Sequence, residues 1–215
     1  MRQGNRVTYF TTESFRSIIE GTGATFVPVP SWMAENDHHN DDSSDKNEKK
    51  EDENVAAVVP FLFLNEAGAY IDTVLDTLKN DVPDAIVHDF AGIAGTMAAD
   101  VLHTKNIMLY ASYPSNDHYS VSASFTSVPE DHPMRIAADR LADSYVAKYG
   151  CRKMTVKEIF DGRGDFNIVM MQKRLVPYAE SYDDSFVFTG VQIGKRTAFG
   201  SWKAPNNGKK LLYSS

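Results

Sequence analysis

The sequence predicts an α/β fold in which a parallel sheet carries helices on both faces. Three observations predict it. Short β-branched or aromatic runs alternate along the chain with stretches of helical apolar spacing, the pattern of successive strand–helix–strand units. Gly21, Pro83 and Gly92 mark ends of such stretches. The 215 residues, 42% hydrophobic and 11% aromatic, suffice for the core of one large domain.

Taken in order, Arg6 to Thr11 (RVTYFT) reads as a strand. Thr12 to Glu20 reads as a helix with a threonine cap, Phe15, Ile18 and Ile19 at helical spacing and a stop at Gly21. Thr25 to Val29 is the second strand. Gly21-Thr22-Gly23 sits after a helix and before a strand, the reverse of the order that cradles phosphate, so it reads as a helix end. Val55 to Asn80 reads as one long helix, or two broken near Pro60, with Phe61, Leu64, Ile71, Val74, Leu75 and Leu78 as its apolar stripe. Ala85 to His88 and Asn106 to Tyr110 are buried-type strands around an alanine-rich helix, Ile93 to Leu102. After a polar and aromatic loop, Ala111 to Pro133, come an amphipathic helix (134–148) and two short strands at 167–171 and 186–189.

The charge is concentrated. Between Glu35 and Glu53 nine acids face three lysines, so this segment holds −6 of the net −7. It has no aliphatic or aromatic side chain, and residues 35–54 are expected to form a disordered acidic insertion. His38 and His39 within it lack the fixed geometry of a metal site, and no metal is expected. The rest of the chain is nearly neutral and presents no basic field for nucleic acid. One cysteine, Cys151, excludes an internal disulfide and fits a reducing, cytoplasmic setting. The longest apolar run, Val55 to Leu64, falls short of the roughly 20 residues that span a bilayer, so no stable membrane insertion is expected.

Ligands of open parallel sheets sit beyond the carboxyl ends of the strands. Thr11, Thr12, Asp89, Phe90 and the segment after Tyr110 occupy those ends. Asp89, in IVHDFAG, is placed to orient a histidine base and stabilise its imidazolium; equally, it is placed to cap the following helix. His88 points to the opposite strand face and reads as a packing histidine. Phe61, Phe63, Tyr110, Tyr113 and Phe125 suit the wall of an apolar cavity as well as they suit a core.

Three stretches, NRVTYFTTESFRSIIEGTGATFVPVP, PDAIVHDFAGIAGTMAADVL and VPYAESYDDSFVFTGVQIGKR, together resemble the amino-terminal half of UDP-sugar-dependent glycosyltransferases of the macrolide type. The resemblance covers nearly all of the chain outside the acidic insertion. It implies a Rossmann-like acceptor domain, one half of a GT-B fold, here lacking the family's first strand and first helix. Residues 1–190 would be that incomplete domain, 191–209 an interdomain linker and 210–215 the first strand of a donor-binding domain. The chemistry implied is inverting sugar transfer from a UDP-sugar donor to a hydroxyl of a hydrophobic small molecule, with no metal and no tightly bound cofactor. The family's base is a histidine between the first strand and first helix, for which this chain has no matching position. Asp89 matches the aspartate that steadies it. Thr12, Phe61, Phe90, Tyr110 and Tyr113 are the expected acceptor-binding residues. The alternatives are one half of a split enzyme, completed by a donor-domain polypeptide, and a non-catalytic protein that binds a ligand or partner.

Overall fold

Residues 4–36, 55–124 and 128–190 are described by the computed structural model. β1 (Thr8–Thr11) and β2 (Thr25–Pro28) pair in parallel, joined through a 3-10 turn (Glu13–Phe15) and α1 (Arg16–Glu20). The Arg16 guanidinium lies 4.4 Å from the centre of the Phe26 ring. Phe26 is the register partner of Tyr9, so α1 covers the face of the pair that carries both rings. α2 (Trp32–Asn36) follows.

The second sheet is fully parallel, in the order β3 (Ala85–Asp89), β4 (Lys105–Tyr110), β5 (Phe166–Val169) and β6 (Phe186–Phe188). α3 (Val55–Leu78), α4 (Ile93–Leu102), α5 (Pro133–Tyr149) and α6 (Val156–Asp161) contribute to one core that includes Leu64, Ile71, Ile93, Met97, Ile159 and Phe160. Ile86 of β3 and Phe10 of β1 both pack against it, which places the two sheets on the same helical layer. The α3 segment 57–78 is long and apolar enough to span a bilayer by composition, but its Leu64, Ile71 and Val74 are buried in this core. Pro60 lies within α3, which continues unbroken through it.

Local sequence explains the helix limits. Pro133 opens α5 where its missing N–H costs nothing, His132 accepts from the Met134 amide, and Gly150 ends the helix at φ 72°. At α6, Thr155 and Glu158 form a reciprocal capping box. Between β3 and α4, His88 bonds Asn106 (2.7 Å) and Thr96 (3.2 Å), as expected of a packing histidine. A Cβ at Gly95 would stand 2.6 Å from the His88 ring. The Gly95→Ala variant is therefore expected to be about 1–3 kcal/mol less stable, the usual cost of overpacking, and urea unfolding would measure it.

β1 belongs to the two-stranded sheet and β3 to the edge of the four-stranded one. These two strands are not hydrogen-bonded to each other. Their amino-terminal ends are tied by a two-pronged Arg6–Asp81 ion pair, with contacts of 2.7 and 2.9 Å. Val7, Tyr9 and Val87 are 40%, 49% and 54% exposed.

Two expectations are corrected. Thr12 precedes only a 3-10 turn, with α1 starting at Arg16, and its hydroxyl bonds Ser14 rather than capping a backbone N–H. Glu35 and Asn36 close α2 instead of opening the acidic insertion. Residues 37–54 of that insertion, the 191–209 linker and the 210–215 strand lie outside the described residues.

Candidate functional site

Open α/β sheets hold their ligands beyond the carboxyl ends of their strands. Three segments leave such ends: the turn after β1 at Thr12, the Asp89–Gly92 loop after β3, and the 111–124 loop after β4.

Asp89 is the last residue of β3, not the first beyond it. Its Oδ1 accepts from the amides of Ala91 (3.0 Å) and Gly92 (2.9 Å), which shapes the entry to α4. Oδ2 accepts no hydrogen bond from the described residues, and the side chain is exposed. One oxygen therefore builds the loop while the other is left unengaged by the described residues. Tyr70 of α3 lies within reach of its field: burial first, then the charges of Glu66 and Asp89, push that phenol up to about 12. Glu66 in turn accepts from the Met33 amide at 2.9 Å and anchors α2. Sequence reasoning missed both residues. The available signal was their i, i+4 spacing, two polar groups on one stripe of an otherwise apolar helix.

Several aromatic side chains pair with one another. Phe90 meets Phe63 edge-on at 5.9 Å, and Phe63 leans on Phe160 at 6.1 Å. Phe61 meets Trp32 edge-on at 6.5 Å. In the third loop Tyr113 meets Tyr119 at 6.2 Å, while His118 overlies Tyr178 at 4.9 Å. No group of three or more metal-ligating side chains occurs among the described residues.

No protein-family model matches the chain. Among curated proteins, the NDP-glycosyltransferase YjiC of Bacillus licheniformis is 25% identical over 196 residues, 91% of this chain and 46% of its own length. The protein of the same name from Bacillus subtilis is 26% identical over 90% of this chain and 45% of its own. The chain spans about half the length of the curated relatives it matches. Among solved structures, the calicheamicin glycosyltransferase CalG4 superposes with a TM-score of 0.74 at 24% identity, over 96% of this chain and 49% of that one. This is the amino-terminal half of a GT-B glycosyltransferase fold.

On this glycosyltransferase half-fold the expected acceptor residues differ in setting. Thr12, Phe90 and Tyr113 lie in the segments that leave β1, β3 and β4, and Phe61 lies on α3 against Trp32. Tyr110 lies in the core. Its ring is 5% exposed and packs against Phe186 at 6.2 Å within the cluster of Met108, Val169 and Val176, and its hydroxyl donates to the Gly162 carbonyl at 3.0 Å. The alternation of β4 explains the placement: Met108 and Tyr110 share the buried face of the strand. Burial pushes the Tyr110 phenol well above its usual range, which suits a packing role. Phe125 lies outside the described residues.

Proposed function

We propose that this chain is the acceptor-binding half of an inverting glycosyltransferase that moves a sugar from a UDP-sugar to a hydroxyl of a hydrophobic small molecule. The observation that carries the proposal is Asp89, exposed at the carboxyl end of β3 with one oxygen tied to the α4 entry and one unengaged by the described residues. In the family that the chain resembles, a histidine base rests on the matching carboxylate. The imidazole takes the acceptor's O–H proton, the acceptor oxygen attacks the anomeric carbon, and the sugar–phosphate bond breaks with its electron pair leaving on UDP. Asp89 holds the imidazole in the right tautomer and offsets its charge once protonated. The aromatic rings of Phe61, Phe63, Phe90 and Tyr113 support an apolar acceptor. The relatives' names support a nucleoside-diphosphate donor, and UDP is the specific reading taken from the sequence resemblance.

None of the described histidines supplies the base. His88 points away from the Asp89 carboxylate and is held by Asn106, while His103 ends α4, His118 sits on Tyr178 and His132 caps α5. By itself the chain is therefore expected to release UDP from UDP-glucose no faster than a protein-free blank, across a panel of phenolic and macrolide acceptors. Turnover clearly above that blank would show that a residue of this chain serves as the base, contrary to the assignment.

A further inference from the structure

The loop after β4 is built around a buried charge that the proposed chemistry does not use. Asp161, the last residue of α6, has a side chain only 5% exposed. Its Oδ1 accepts from the Ser115 hydroxyl (2.6 Å) and the Ser122 amide (2.9 Å). Its Oδ2 accepts from the hydroxyls of Ser120 (2.8 Å) and Ser122 (2.5 Å), with Lys157 Nζ at 3.2 Å. The serines pass the restraint on: Ser115 Oγ accepts from the Val121 amide, and Ser120 Oγ from the Ala123 amide. One carboxylate on a helix end thus gathers both arms of a loop more than 35 positions away in sequence.

Between the two arms the chain makes a tight turn. Asn116 Oδ1 accepts from the amides of His118 and Tyr119, and Asn116 and Tyr119 form an isolated bridge. Rings beside that turn face solvent: Tyr113, just before it, is 37% exposed, and Tyr178, which His118 overlies, is 60% exposed. Tyr178 also has φ 53°, a left-handed conformation costly for a bulky residue. An exposed ring held at the expense of backbone strain is poor economy for packing alone. Tyr182 joins the same region by donating to the Pro114 carbonyl.

We propose that Asp161 is a positioning residue for acceptor recognition: by clamping Ser115, Ser120 and Ser122 it holds Tyr113, His118 and Tyr119 as an aromatic wall at the carboxyl edge of the sheet. The wall suits a planar, phenol-like acceptor. This rests on the acceptor-binding reading above. Charge-assisted hydrogen bonds are stronger than neutral ones, which is why a carboxylate rather than an amide suits a clamp with four donors from one loop.

The test uses the full chain with Asp161→Ala, Asp161→Asn, Ser120→Ala and Tyr113→Ala, each checked by far-ultraviolet circular dichroism. Hydrogen exchange of peptides covering 111–124 reads the clamp, and titration with phloretin reads the wall. Asp161→Ala is expected to speed exchange in this loop about tenfold or more while β4 and α5 keep their protection, because the opening is local. Phloretin affinity should fall about tenfold, a difference of about 1.4 kcal/mol. Asp161→Asn should recover part of both effects, since its amide oxygen still accepts. Tyr113→Ala should weaken binding without speeding exchange. Unchanged exchange in Asp161→Ala overturns the clamp, and a loosened loop with unchanged affinity overturns the positioning role. Should Asp161→Ala not fold, Ser120→Ala and Asp161→Asn decide by the same two readings. Failure of the unaltered chain to bind phloretin counts against the phenolic-acceptor reading itself, while the exchange data still judge the clamp.

Discussion

In a two-domain protein containing this half, Asp89→Asn is expected to lower kcat by about 10²–10⁴-fold, the range of general acid–base groups, with little change in melting temperature. The structure sharpens the reason. The loop-building work of Asp89 falls on Oδ1, through the Ala91 and Gly92 amides. An asparagine keeps an oxygen there and holds the loop about as well. What it loses is the charge on the second oxygen, which serves no described hydrogen bond. If Asp89 only shapes the entry to α4, its asparagine variant should retain both rate and stability. If it steadies a protonated imidazole, rate alone should fall. Paired measurements of kcat and thermal stability separate the two, and near-normal kcat would remove Asp89 from the catalytic apparatus.

Much of the architecture was legible because it rests on local rules. The strand–helix alternation, the reading of His88 as a packing residue and the helix end at Gly21 follow from periodicity and backbone preference alone. What the sequence concealed depends on contacts across long stretches of chain. Tyr110 looked like a cavity residue until the strand's alternation and its contact with Phe186 put it in the core. Glu66 and Tyr70 gained meaning only when α3 was laid beside Asp89. The Asp161 clamp joins a helix end to three serines 39–46 positions earlier, and nothing in the serine spacing points to α6.

Acid is expected to unfold this chain largely through Asp161. Burial alone would raise its carboxyl, but the hydrogen bonds from Ser115, Ser122 and Ser120 outweigh it and hold the group well below the usual carboxylate range. A depressed native value means that the stabilising contribution is fully present above the unfolded value, near 3.9, and is lost as pH falls through the native one. Stability attributable to Asp161 should therefore be flat from neutrality to about pH 5 and decline steeply below about pH 4. Other lowered carboxyls, at Glu13, Asp72, Asp81 and Asp183, belong to exposed ion pairs or turns that screening leaves nearly worthless. Of the groups facing Asp161, Lys157 is 76% exposed and adds little. The serines do not titrate. Asp161→Asn is expected to cost about 2 kcal/mol at pH 7, within the range for hydrogen bonds to a charged group, and to flatten the acid limb of the curve because no proton can bind there. Urea unfolding of both proteins from pH 7 to pH 3 tests this directly. An acid limb of equal steepness in the variant would transfer the sensitivity to other carboxylates and leave Asp161 as a neutral-equivalent packing group.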